Sequence, residues 1–224
     1  MVKQERAVRT RKSLIDAAAA VFAEEGYVPS SLATISKRAG VSNGALHFHF
    51  ENKRALAQAV EAAAAEVIHE LVRLSGSAGT SALQALVDAT HGLVGCLSDD
   101  IVVRAGFDLS AERALGAETG LMRTWHAWVE ETLHRAEAEG HLAPGVSPDD
   151  AAAAIVAVTV GFEVLAGDDP QWLAERRIVG FWELLLPGIT TDDVPVSARP
   201  EAGDDKGTDL VEPGPRPADR TRTR

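Results

Sequence analysis

Asn43, His47 and His49 carry hydrogen-bonding groups of the kind that meet base edges and phosphates, and they cluster within residues 34–53, TISKRAGVSNGALHFHFENK. Leu46 and Phe50 are four apart and form the buried pair of a short helix around which these groups are displayed. Gly44 and Ala45 are small, so a backbone can come very close to a surface there. Ser42 is a good N-cap for this helix. In front of it, Ile35 and Ala39 share one face of another short helix. Gly40 supplies a left-handed stop, and Val41 plugs the corner. Two short helices with a tight break form a helix-turn-helix signature, with the second helix shaped to enter a major groove.

The rest of the chain must hold that corner. Residues 3–9 read as a charged arm. Leu14, Ile15, Ala18 and Phe22 have helical spacing within a helix over 10–25, which Gly26 ends. With helices over 32–39 and 43–48 they build a small core of Phe22, Ile35, Leu46 and Phe50, marginal by itself. The next helix, from about 52 to 74, is roughly 34 Å long. It belongs to both halves of the protein and is the natural lever. After a break at 76–79, a helix over 81–97 is expected. Residues 99–115 read as a shorter helix or two, broken around Gly106, and 116–120 as a loop. A helix over 121–139 follows. Ser147-Pro148-Asp149-Asp150 opens a nearly all-apolar helix, with proline and acids at the positive dipole end. A last helix over 171–186 stops at Pro187-Gly188. The expected fold is all-α: an N-terminal three-helix helix-turn-helix domain (1–55), a C-terminal helical ligand-binding and dimerisation domain (56–190), about nine helices, and a disordered tail (191–224). The tail is proline-rich and charged, and cannot bury enough apolar surface to order itself.

The 224 residues carry a net charge of −11. The charge is unevenly placed: residues 1–55 are net +4 and the remainder net −15. A basic head on an acidic body points nucleic acid at one end only. The single cysteine, Cys96, excludes a disulfide framework and reads as a small core residue. No apolar signal core and no membrane-length apolar run is present, so a cytoplasmic protein with no membrane partner is expected.

Within the apolar run VAVTVGFEV, Thr159 and Glu163 are the polar exceptions. Thr159 is either a back-bond to its own helix or a polar anchor in a mostly apolar pocket, and Gly161 leaves space nearby. Glu66-Val-Ile-His69 and Glu131-Thr-Leu-His134 are E-x-x-H pairs, a spacing that holds metals in carboxylate-bridged bundles. Such a site also needs two more inward glutamates on other helices, and the second pair lies near a polar helix end, Arg135 to Glu139, and reads as solvent-facing. No Ser-His-Asp spacing, phosphate-binding glycine loop or dinucleotide fingerprint appears. The expectation is therefore no enzyme, no cofactor and no metal.

GVSNGALHFHFENKRAL and the upstream KQERAVRTRKSLIDAAAAVFAEEGY resemble the TetR family of transcriptional regulators. Together with a later RTWH, they resemble its γ-butyrolactone receptor branch, which controls antibiotic production. The resemblance covers residues 3–190. It implies a homodimer whose last two helices form a four-helix bundle across a two-fold axis, and a pseudo-palindromic operator read at centres ~34–36 Å apart. Ser31, Thr34 and Ser42, at helix N-termini, would hold phosphates. Lys53 matches the family lysine that clamps a phosphate, and His49 matches the family histidine after the aromatic position. His47 stands where most relatives have tyrosine, and Asn43 where many have lysine or arginine. Asn43 is then either a bidentate adenine contact or only a cap, and His47 either a DNA contact or only a packing residue.

Trp125 resembles the tryptophan that packs on the bound lactone in those receptors. Trp128 is read as an ordinary core residue, and Phe107, Val87 and Phe162 as further lining. The implied inducer is small, neutral and largely apolar: a lactone, a furan or an aromatic antibiotic. The function expected is a ligand-released repressor of secondary-metabolite genes. The alternatives are a pseudo-receptor that senses an end product, a DNA-binding architectural or activating protein without a ligand, a ligand-sequestering protein whose DNA binding has decayed and, most distantly, a di-metal bundle enzyme.

Overall fold

A computed structural model describes residues 2–76, 79–112, 120–191 and 194–200. Among them are nine helices: α1 (Val2–Glu25), α2 (Leu32–Arg38), α3 (Asn43–His49), α4 (Lys53–Ser75), α5 (Ala82–Asp99), α6 (Ile101–Ala111), α7 (Leu121–Ala138), α8 (Pro148–Ala166) and α9 (Glu175–Ile189). The all-α architecture is as expected. No helix among the described residues is long and apolar enough to cross a membrane.

Two apolar cores account for the packing. Leu14, Ala18, Phe22, Ile35, Leu46 and Phe50 form the head, as their spacing predicts. Leu83, Leu86, Trp125, Leu133, Ile155 and Trp182 belong to the larger core of the body. Helix α4 serves both cores: Leu56 and Val60 lie in the first, Ala64 and Ile68 in the second. Helix α6 does the same, with Ala105 and Leu109 in the head and Val103 and Phe107 in the body.

The structure departs from the sequence reading at several places. The charged arm is helical, and α1 begins at Val2 rather than near Thr10. Residues 101–111 form one helix, unbroken at Gly106. That glycine marks a close crossing: a Cβ there would stand 2.4 Å from the Cβ of Ala64. Residues 170–173 form a separate 3₁₀ turn, capped by Asp169, and α9 starts only at Glu175. It then runs through Pro187 to Ile189, because Ile189 is buried and its carbonyl accepts the amide of Ala143 at 2.9 Å. The expected loop at 116–119 lies outside the described residues.

The first part of the expected disordered tail is packed. Gln84 Oε1 accepts the amide of Ser197 at 2.8 Å, and Gln84 Nε2 donates to the carbonyl of Arg199 at 3.2 Å. His91 Nε2 meets the Ala198 carbonyl at 2.9 Å, and Val196 and Ala198 lie against the body core. These backbone contacts offset the ordering cost that composition alone suggests. Residues 201–224 lie outside the described residues.

Gly106→Ala should cost about 1–3 kcal/mol, since overpacking forces α4 and α6 apart. Urea denaturation measures this, and an unchanged midpoint would show that the crossing is slack.

Candidate nucleic-acid interface and ligand core

The corner between α2 and α3 is locked by local hydrogen bonds. Ser31 Oγ accepts the Thr34 amide at 3.1 Å and shares a hydrogen bond with the Thr34 hydroxyl at 2.9 Å. Gly40 takes φ +67°, the left-handed conformation that its lack of a Cβ permits. The Val41 amide returns to the Ser36 carbonyl at 3.0 Å. Ser42 Oγ caps α3 by accepting the Ala45 amide at 3.2 Å. The cap is therefore Ser42 and not Asn43. Asn43 has another partner: the buried Ser36 hydroxyl donates to its Oδ1. That bond ties the two helices together and leaves Oδ1 a second lone pair.

Beyond Asn43, α3 presents Gly44 and His47 to solvent, with Ala45 and His49 half-buried. His47 is not a packing residue here. Phe48, which sequence reasoning passed over, is 82% exposed. It stands edge-on to His49, with ring centroids 5.2 Å apart. The signal was available: at 100° per residue, position 48 falls opposite the buried Leu46 and Phe50. An exposed phenyl beside hydrogen-bonding groups suits contact with thymine methyls.

Lys53 opens α4 beside the turn that precedes α2. Its ammonium donates to the carbonyls of Tyr27 (2.7 Å), Val28 (3.0 Å) and Ser30 (2.9 Å), and lies 4.5 Å from the Tyr27 ring centroid. These three bonds tie the start of α4 to the turn before α2. Arg11, from α1, covers the Phe50 ring at 5.2 Å.

The residues expected around a ligand come together in the body. Val87, Phe107, Trp125 and Phe162 are buried in one cluster, and Thr159 joins it through Trp125. Trp125 Nε1 donates to Thr159 Oγ at 3.1 Å, and Thr159 donates to the Val156 carbonyl at 3.0 Å. Thr159 thus makes the back-bond to its own helix and also satisfies a buried indole. Trp128 is half-buried and stacked on Trp125, centroids 5.4 Å apart. Phe162 meets Trp172 of the 3₁₀ turn at 6.4 Å. A second pair repeats the device. Trp182 Nε1 donates to Thr90 at 2.7 Å, and Thr90 donates to the Val87 carbonyl at 2.8 Å. Thr90, a hydroxyl inside the apolar run of α5, was the sequence signal for it.

A cavity of about 290 Å³ lies beside this core, lined by Leu97, Arg104, Asp108, Glu163, Gly167, Pro170 and neighbours. Burial first, then a hydrogen bond and repulsion from Asp108, push the Glu163 carboxyl up to about 8. Both E-x-x-H pairs are solvent-facing. His134 Nε2 lies 2.9 Å from Asp149 Oδ1, a partner on α8 outside either pair. Cys96 is half-buried, and burial, then Asp100 and Asp99, push its thiol up.

Residues 14–60 match the model of the bacterial regulatory proteins of the tetR family. Over 205 residues the chain is 33% identical to the A-factor receptor protein of Streptomyces griseus, covering 90% of this chain and 71% of that protein. The chain belongs to the TetR family of bacterial regulatory proteins. Among solved structures of this family, a γ-butyrolactone receptor described as ArpA-like superposes with a TM-score of 0.71 at 27% identity, covering 84% of this chain and 90% of that one. CprB from Streptomyces coelicolor, in complex with its biological operator sequence, gives 0.71 at 29% identity, with 84% and 91% covered.

Two measurements test the body. Thr159→Val keeps the shape but strands the buried Trp125 indole, and should cost about 1–3 kcal/mol in chemical denaturation. Glu163→Gln should stabilise the protein increasingly as pH rises from about 4.5 through about 8. Across that window the native carboxyl keeps a proton that the unfolded chain has released, so wild-type stability falls relative to the neutral variant. Melting temperatures that stay parallel from pH 5 to 9 would contradict the raised titration.

Proposed function

We propose that the protein is a dimeric transcriptional repressor that reads a pseudo-palindromic operator through α3 and is released by a small γ-butyrolactone-like signal. The genes it controls belong to antibiotic or other secondary metabolism. The observation that carries this is a rigid, capped α3 with Asn43, Gly44, His47 and Phe48 outward, in a chain that aligns along nine-tenths of its length with an A-factor receptor. On this reading residues 1–55 contact DNA and 56–190 sense and dimerise, with α4 spanning the boundary. Ser31, Thr34 and Ser42 meet phosphates at the helix N-termini, with His49 alongside, while Asn43, His47 and Phe48 meet base edges over the small Gly44 and Ala45.

The dimer surface is α8 and α9. Ala153, Ala154, Ala157, Val164 and Leu165 are exposed along α8, and Leu184 is 86% exposed on α9. A Cβ at Gly161, Gly180 or Gly188 would meet nothing within 4 Å. Such an apolar, closely approachable face suits a second copy.

The inducer would sit against Trp125, with Thr159, Val87, Phe107 and Phe162 as apolar walls and one polar anchor. To enter, it must part the Trp125–Thr159 hydrogen bond and shift α7 against α8. Helices α4 and α6 carry that shift to the head. A ligand preferring the DNA-incompetent pose by ~3 kcal/mol weakens operator binding over a hundredfold.

The deciding experiment is a mobility shift of the DNA upstream of the protein's own gene, with and without a synthetic γ-butyrolactone. A shift that the lactone reverses is expected. A shift that only an antibiotic reverses would move the protein to the end-product-sensing branch, and absence of binding at moderate salt would overturn the operator reading. If a dimer neutralises ~8 phosphates, log Kobs should fall with log salt at a slope near −7.

A further inference from the structure

Helices α7 and α8 meet outside the core as well as inside it. Val129, Leu133 and Ala136 turn one face of α7 into the body core. The neighbouring face carries Glu130 and His134, four residues and about one turn apart. Asp149, in the first turn of α8, stands against them, with its Oδ1 2.9 Å from His134 Nε2. One ligand atom from each of Glu130, His134 and Asp149 lies within 4.8 Å of the other two. The fold thus gathers Glu130 around His134, and not the Glu131 of the E-x-x-H pair.

Around His134 the carboxylates outnumber the cations. Its Nδ1 lies 3.7 Å from Glu137 Oε2, so one imidazole stands between Glu137 and Asp149, with Glu130 alongside. Among the described residues, no lysine or arginine forms an ion pair with these acids, and the adjacent Arg135 turns to Glu139 at 3.8 Å. A protonated imidazole offsets one of the negative charges, whereas a divalent cation offsets two. With Glu137 on the Nδ1 side, a proton held there leaves the Nε2 lone pair beside Asp149, which is how a carboxylate orients a metal-binding histidine. His134 and Asp149 are exposed, so small rotations bring the ligand atoms to the edges of about 3.4 Å that a tetrahedral zinc site with bonds of about 2.1 Å requires.

We propose that Glu130, His134 and Asp149 form a divalent transition-metal site of the zinc class that clasps α7 to the start of α8. One imidazole and two carboxylates are ligands that zinc accepts, and water completes the shell. The imidazole disfavours calcium and magnesium, which take oxygen ligands. Glu137, on the other side of the ring, is a positioning residue. The site lies about 14 Å along α7 from Trp125, whose bond to Thr159 also joins α7 to α8. On the inducer reading above, on which this consequence rests, ligand entry shifts those two helices, so the clasp opposes release from DNA.

The test titrates zinc into the untagged wild type, His134→Ala, Asp149→Asn and Glu137→Gln, followed by calorimetry and by melting temperature. Wild type should bind one more zinc per protomer than His134→Ala, and Asp149→Asn should share that loss. Glu137→Gln, one step from the metal, should keep the site with affinity weakened about 10- to 100-fold. Zinc should raise the melting temperature of wild type by more than that of His134→Ala, and magnesium should separate the two proteins in neither measurement. Because these side chains are exposed, all variants should fold, as circular dichroism checks. A wild type that takes up no zinc, or the same zinc count in wild type and His134→Ala, overturns the site. With zinc bound, wild type should need a higher dose of lactone than His134→Ala to leave operator DNA, and equal doses overturn the clasp. A lactone that releases neither protein, with or without zinc, overturns the inducer reading and leaves the site standing.

Discussion

The crossing of α4 and α6 at Ala64 and Gly106 is the contact on which the rest of the structure depends. Only a missing Cβ lets the two helices come this close, with 2.4 Å between the Ala64 Cβ and the position a Gly106 Cβ would take. Each helix contributes side chains to both cores, so the head and the body share a common pair of struts. Ser110 of α6 adds a hydrogen bond to Glu61 of α4 at 3.2 Å. A displacement of α6 at Phe107, in the body, is therefore felt at Leu109, in the head, two residues along. Close-packed cores do not deform gradually, and such a joint passes motion between discrete arrangements.

On either side of that joint the polar groups are arranged for opposite purposes. In the head they are turned outward or used to stiffen a corner. Ser31, Ser42 and the Ser36–Asn43 bond fix α3 so that little entropy remains to be lost on binding DNA. Lys53 fastens the base of the lever to the turn before α2 with three carbonyls. In the body they are turned inward. Two indoles reach two threonine hydroxyls, which in turn reach helix carbonyls, so the polar points of the apolar interior are satisfied.

Much of this was legible because it is local. Helical spacing of Leu14, Ala18 and Phe22, the caps and Gly40 each report on a few neighbouring residues, and the head follows from them. What was not legible depended on partners distant in sequence. Gly106 reads as a break until Ala64 is seen against it. Lys53 reads by resemblance as a phosphate clamp, and its bonds to the carbonyls of Tyr27, Val28 and Ser30 become visible only in the fold. Residues 194–200 have the composition of a tail, and are held by polar partners from Gln84 and His91 and by the packing of Val196 and Ala198 on the body core. Phe48 is a different case: its position opposite Leu46 was readable, but a phenylalanine invites assignment to a core. Trp125 and Thr159 were marked separately, one by resemblance and one as a hydroxyl in an apolar run, and the hydrogen bond between them links the two observations.

In the mechanism proposed above, events in the body change the spacing of the two α3 helices. The most direct measurement is the distance between spin labels on the two protomers of the dimer, attached at Glu51→Cys on the exposed corner after α3, with Cys96→Ser to remove the native thiol. It is recorded with operator DNA and with the small molecule that releases it. One narrow distance is expected on the operator and a displaced one with inducer. The same distance in both states, while the inducer still releases the DNA, would contradict it.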